Sequence, residues 1–116
     1  MSQFLFEVAY TSSSWATQVR KQGNVLERIE PLLQGFGGSV TACYYAFGDH
    51  DLVLIADFPT NEDAAAFSLA VTAGGSLKSI KSTALLTVDQ GITAMKRAAE
   101  LGSLYQAPVP VVPAQG

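Results

Sequence analysis

The chain is poor in the residues that most often carry chemistry: one cysteine, Cys43, and one histidine, His50. Cys43 has no partner for an internal disulfide, and a structural zinc site draws four ligands, mostly cysteine and histidine. No metal and no cofactor are expected. Charge is also scarce, at 15% of residues against about 25% in an ordinary soluble domain. Seven basic and ten acidic residues leave a net charge of -3. Binding to a phosphate backbone needs a clustered positive face. Arg20-Lys21 and Lys96-Arg97 are only pairs, and Lys78 and Lys81 read as edge-strand lysines, so nucleic acid is not an expected partner. No apolar run approaches the ~20 residues that span a bilayer. Nor does a basic region precede a long apolar one at the N-terminus, so neither a membrane partner nor a signal peptide is expected and the expected location is cytoplasmic. None of the glycines falls into a dinucleotide-binding or Walker pattern. Gly35, Gly37 and Gly38 follow an apolar helical stretch rather than precede one, the wrong polarity for cradling phosphate.

What the chain has is apolar surface. Of its residues 48% are hydrophobic, in a length that suits one domain. High apolar content with little charge predicts that part of the surface is covered by something other than water. Identical subunits are the simplest cover, so a homo-oligomer, a dimer or higher, is expected. A small-molecule ligand and a larger protein are the further partners to weigh.

Gln3 to Tyr10 alternates, with Phe4, Phe6, Val8 and Tyr10 on one side and Leu5 and Ala9 flanking Glu7 on the other, which predicts a strand. Thr11 to Ser14 supplies hydroxyls to start a helix. Trp15, Val19, Gln22, Leu26, Ile29 and Leu33 then recur every three or four residues, the spacing of one helical face. Gly23 weakens that helix, and Pro31, which cannot donate to the Glu27 carbonyl, predicts a kink or restart. Gly35, Gly37 and Gly38 end it. Ser39 to Ala46 predicts a second strand, with Val40, Ala42 and Tyr44 on one face and Thr41, Cys43 and Tyr45 on the other. Asp51 to Phe58 predicts a third. Its Leu52-Val53-Leu54-Ile55-Ala56 core does not alternate in polarity, as in a strand central to its sheet and covered on both faces.

Thr60 and Asp63 stand as in a capping box, opening a helix through Ala64, Phe67, Ala70 and Val71 to Gly74-Gly75. Ser76 to Leu86 predicts the fourth strand, and Thr87 with Gln90 a second capping box, for a helix through Val88, Ile92, Met95 and Ala99 to Leu101. The segment after Gly102 holds Pro108, Pro110 and Pro113 with valines between them and predicts extended chain. Leu104, Tyr105, Val109, Val111 and Val112 are its candidates for contact with another subunit or partner. The order β-α-β-β-α-β is the ferredoxin-like plan. The expected fold is therefore α+β, with a four-stranded antiparallel sheet, an extra C-terminal helix and a proline-rich tail, as one domain over residues 1–102 and a tail over 103–116. Helices on one face leave the other bare, and a second sheet from a partner subunit would cover it.

Asp49, His50 and Asp51 are the obvious candidates for a site. A histidine between carboxylates suits general base catalysis or metal binding. Adjacent residues of an extended segment point in opposite directions, however, so a turn-forming role is the favoured reading and a metal is not expected. Tyr10, Tyr44, Tyr45 and Trp15 fall where aromatics pack in a core or line a pocket between sheet and helix. The candidates for ligand contact are Tyr10, Tyr44, Asp49, His50 and Asp51, with His50 the candidate catalytic residue.

The run Phe47-Gly48-Asp49-His50-Asp51-Leu52-Val53-Leu54-Ile55 resembles the signature of the GYD-domain family, small and mostly bacterial proteins named for a Gly-Tyr-Asp turn before a strand. The likeness extends to Gly37-Gly38 and to Ala64-Ala65-Ala66-Phe67, and covers roughly Phe4 to Leu86. In this chain His50 stands where the family has its tyrosine. The resemblance implies a ferredoxin-like fold of the dimeric α/β-barrel type. Three functions follow as expectations. The first is a non-catalytic oligomeric module that binds a small molecule or joins a larger assembly. The second is a cofactor-independent enzyme resembling the monooxygenases and isomerases of that type, with His50 as base and Tyr44 or Tyr10 orienting the substrate. The third is an accessory subunit that clamps a larger enzyme through Leu104 to Val112.

Overall fold

The computed structural model of the chain describes residues 2–108. Four strands, β1 (Ser2–Tyr10), β2 (Ser39–Tyr45), β3 (Leu52–Phe58) and β4 (Leu77–Leu85), form one antiparallel sheet in the order β2-β3-β1-β4. The intervening helices are α1 (Ser12–Lys21), α2 (Val25–Gly35) and α3 (Asn61–Ala73). This is the ferredoxin-like plan, with β1 and β3 central as the apolar run in β3 predicts. The chain divides into two units between Leu85 and Leu86. The sheet and α1 to α3 make up the first. The described part of the second is a helix, α4 (Val88–Leu101), and a single 3-10 turn, Gly102–Leu104.

Alternation in the two central strands builds the core. Phe4 and Phe6 of β1 lie beside Leu54, Ala56 and Phe58 of β3, and Leu33 of α2 with Ala64 and Phe67 of α3 close over them. Val8, Val25 and Leu52 form a second buried cluster toward the other end of these strands. The opposite face carries Leu5, Glu7 and Ala9 of β1, which pair with Ile55, Val53, Thr83, Lys81 and Ser79 on the flanking strands. The helices of the first unit bury the Phe6 side.

Two expectations need correction. The apolar face from Trp15 to Leu33 belongs to two helices, not one kinked at Pro31. The break lies at residues 22–24, where Gln22 adopts a left-handed conformation with φ of 54° and ψ of 37° and donates its N–H to the Gln18 carbonyl. Asn24 then caps α2, accepting from the Leu26 N–H at 2.9 Å. Gly23 sits between a left-handed terminator and an Asx cap, which together outweigh the apolar periodicity. Pro31 is exposed inside α2, on the solvent side where water can satisfy the carbonyl it leaves unpaired. The second correction concerns β2. A bulge between Val40 and Ala42 shifts the register, so Val40 shares the core side with Cys43, and Ala42 and Tyr44 lie opposite Ile55 and Val53 on the other face. One extra residue in a strand reverses the side-chain parity beyond it.

The helix ends follow the sequence closely. Thr60 accepts from the Asp63 N–H, and Thr87 and Gln90 form a reciprocal capping box. After α2, Gly37 turns at φ of 74° while the Gly38 N–H reaches the Leu33 carbonyl at 2.8 Å and the Gly37 N–H reaches that of Gln34 at 2.9 Å. This is a Schellman ending. At Gly38 a Cβ would stand 3.0 Å from the Asp57 carbonyl oxygen and 3.0 Å from the Phe58 ring. Because one neighbour is backbone and the other is fully buried, Gly38→Ala is expected to cost about 1–3 kcal/mol, visible as a lowered thermal midpoint. An unchanged midpoint would show that β2 and β3 move apart without penalty.

Candidate functional site

Val8 of β1 pairs with Leu52 of β3, and Tyr10 with Leu77 of β4, so β1 ends where those two strands begin. Over this end of the sheet α1, α2 and α3 leave a cleft of about 730 Å³, a volume in the range that holds a small organic ligand. Its deeper wall is apolar: Val8, Leu52, Leu54 and Phe67 are buried core residues that also line it. Toward solvent the lining turns polar, with Ser14, Gln18 and Lys21 of α1 and Glu27 and Arg28 of α2. The Arg28 guanidinium donates to Gln18 Oε1 at 3.0 Å, and Gln18 Nε2 donates to Ser14 Oγ at 3.3 Å. Tyr10 spans the two zones. Burial pushes its phenol up from the ordinary value, and the adjacent Arg28 guanidinium opposes that shift without cancelling it. The phenol therefore keeps its proton at neutral pH and can donate it in a hydrogen bond.

Gln18 and Arg28 were not legible as a pair. In an unbroken helix ten residues span about 15 Å along the axis, too far for contact. The break at Gln22 redirects the chain and brings the two side chains within hydrogen-bonding distance.

Beside the cleft, Asp51 fastens three elements to one another. Its Oδ2 accepts from the Tyr10 N–H at 2.8 Å and from Trp15 Nε1 at 3.1 Å, while its backbone N–H donates to the Val8 carbonyl at 2.7 Å. The Trp15 ring meets that of Tyr10 edge-on at 5.4 Å and lies 6.3 Å from that of Tyr45. Asp51 is thus occupied by the fold's own donors.

His50, one residue earlier, turns to the other face of the sheet. Its Nδ1 lies 3.5 Å from Glu7 Oε2, and Glu7 stands opposite Lys81 on one side and Val53 on the other. Tyr44 flanks the same Val53 and is 68% exposed. The sequence candidates therefore separate into two groups. Tyr10 and Asp51 belong to the cleft side, His50 and Tyr44 to the opposite face of the sheet with Glu7, and Asp49 is exposed in the turn between. Gly48 of the turn is not left-handed, and a Cβ there would meet nothing within 4 Å. Cys43 is half-buried against the core, and burial raises its thiol above the ordinary value. It is held as the thiol, which is not the nucleophilic form.

Among the described residues no group of three or more histidine, cysteine, aspartate or glutamate side chains could hold a metal ion. Nor is any described helix long and apolar enough to cross a membrane. Of the partner-contact candidates, Leu104 and Tyr105 are exposed, and Val109, Val111 and Val112 lie outside the described residues.

Two solved structures share the fold at low identity. The crystal structure of FFRP-DM1 aligns with a TM-score of 0.54 at 14% identity, covering 74% of this chain and 100% of that one. That of MtbAldR aligns with a TM-score of 0.52 at 18% identity, covering 74% of this chain and 53% of that one, so this chain matches about half of that longer protein. No curated protein matches the sequence. The GYD domain matches over residues 4–95, which takes in all of the sheet but the first two residues of β1, the cleft and the turn at His50, and the chain belongs to the GYD-domain family.

Proposed function

We propose that this GYD-domain protein is a non-catalytic oligomeric module that holds a small molecule in the cleft between its helices and its sheet. What carries the reading is the make-up of that cleft. It combines a buried apolar wall with a polar, hydrogen-bonded rim, while the histidine pairs with Glu7 on the opposite face and the cysteine is not part of the lining. Such a lining fixes and orients a ligand, and neither the histidine nor the cysteine is placed in it to transform one. Titration with a panel of small apolar acids, alcohols and amines, followed through the fluorescence of Trp15, tests the reading. Saturable binding lost on filling the cleft with Val71→Phe, which leaves Trp15 the sole tryptophan, supports it. Binding that survives this variant, or none from any of the panel, overturns it.

In the same proposal a second copy of the chain covers the open face of the sheet. Leu5, Ala9, Val53, Ile55 and Ala42 form its apolar centre, and Glu7 and Lys81 stand side by side there. Opposite charges on one patch suit a two-fold interface, because each can meet its complement on the other copy. Ile55→Glu would bury an unpaired carboxylate at the middle of that interface, which is strongly unfavourable. The variant is expected to halve the particle mass measured by light scattering while the wild type runs as a dimer or larger. A wild type that runs as a monomer at every concentration would overturn the pairing.

The 3.5 Å approach of His50 to Glu7 supports the enzymatic alternative, in which a carboxylate orients the histidine as base beside Tyr44. His50→Ala then removes turnover of an aromatic substrate with no loss of thermal stability. Exposed Leu104 and Tyr105 support the accessory-subunit alternative, in which deletion after Gly102 releases a co-purifying enzyme.

A further inference from the structure

The cleft is not neutral in its choice of ligand. Among the described residues two cationic side chains, Lys21 and Arg28, line it against a single carboxylate, Glu27. Of these, Arg28 is the one tied into the wall. It is held by Gln18, which is held in turn by Ser14, and it lies against the Tyr10 phenol. A guanidinium positioned only by neutral partners, Gln18 and Tyr10, keeps further N–H donors for a ligand, and its planar fork matches a carboxylate. The protonated Tyr10 hydroxyl adds a donor that a carboxylate can accept. The apolar wall lies below these groups, with Val8, Leu52, Leu54, Phe67 and Val71 toward the core.

We propose that the cleft binds an organic monocarboxylate with an apolar body, its carboxylate on Arg28 and Tyr10 and its body against Val8, Leu52, Phe67 and Val71. The inference rests on the reading of the cleft as a ligand site and adds the class of ligand. A cation of the same shape meets Arg28 and Lys21 unpaired, and a neutral isostere leaves the Arg28 donors without an anion. Discrimination therefore comes from the head group, while affinity common to all three comes from the apolar wall.

The test uses the full-length chain and three probes of one shape, phenylbutyrate, phenylbutanol and phenylbutylamine, titrated calorimetrically and through Trp15 fluorescence. Trp15 is the only tryptophan in the chain, and its ring touches that of Tyr10. Phenylbutyrate is expected to bind about tenfold more tightly than phenylbutanol, the worth of one charge-assisted pair, with phenylbutylamine weakest. Arg28→Gln is expected to remove that tenfold advantage, the acid losing far more affinity than the alcohol. Arg28→Lys should restore only part of it, because an ammonium lacks the fork. Arg28 is exposed on α2, so both variants are expected to fold, with wild-type circular dichroism as the check. Equal binding of acid and alcohol, or an acid affinity indifferent to Arg28→Gln, overturns the carboxylate assignment and leaves the cleft standing as an apolar site. Failure of all three probes to bind overturns the assignment together with the ligand-site reading beneath it.

Discussion

Phe6→Ala is expected to lower the unfolding free energy by about 3–5 kcal/mol, the range for removing a fully buried aromatic side chain. Phe6 is 0% exposed. Its ring meets those of Phe67 at 5.3 Å, Phe58 at 6.0 Å and Phe4 at 6.3 Å, two of them edge-on. Each is fixed by a different element, so the three cannot collapse together into the space left behind, and the cavity persists. A domain has only about 5–15 kcal/mol of stability in all, so the variant forfeits a large share of it. Urea unfolding at one fixed protein concentration reads the loss as a lower midpoint with an unchanged slope. A loss below about 1 kcal/mol would mean that the surrounding side chains refill the cavity and that this quartet does not anchor the core.

Asp51→Ala is expected to have the next largest effect, about 2–4 kcal/mol. It strips the acceptor from two donors at once, the Tyr10 backbone N–H and the Trp15 indole N–H, both part-buried. Bonds to a charged acceptor contribute about 1.5–3 kcal/mol each, and stranding their donors adds a desolvation penalty. Both bonds reach the same oxygen, Oδ2. Asp51→Asn keeps an oxygen able to take that place and should lose only the charge assistance, on the order of 1 kcal/mol. The pair of variants thus separates geometry from charge. Because Trp15 is the sole tryptophan, loss of its bond should also shift the emission to longer wavelength in Asp51→Ala and little in Asp51→Asn. Equal losses in the two variants would show that charge rather than an acceptor in the right place holds this corner.

The run Asp49-His50-Asp51 shows how far a sequence can be read. Strict alternation in extended chain already separates His50 from Asp51, and the structure puts them on opposite faces. Their partners were hidden. Asp51 meets donors 41 and 36 positions earlier, and nothing local in the Gly48–Asp51 turn points to Tyr10, Trp15 or Glu7. The cleft was hidden for a related reason. Its polar rim exists because Gln18 and Arg28 come together across a break that the continuous apolar spacing from Trp15 to Leu33 conceals. The parity of β2 was misread because a bulge is one residue of backbone with no distinctive side chain.

By itself the sequence determined what short-range physics controls. That covers the strands with their core-facing phenylalanines, the hydroxyl caps at Thr60 and Thr87, the glycine ending of α2 and the central place of the Leu52–Ala56 run. These depend on period, rotamer and turn preferences within a few residues. Only the tertiary structure decided the break at Gln22, the bulge in β2, the fastening of α1 to the sheet through Asp51 and the arrangement of Tyr10, Gln18 and Arg28 around one cleft. Each of those depends on which distant side chain arrives at a given place, and that is set by packing the helices on the sheet rather than by any local preference.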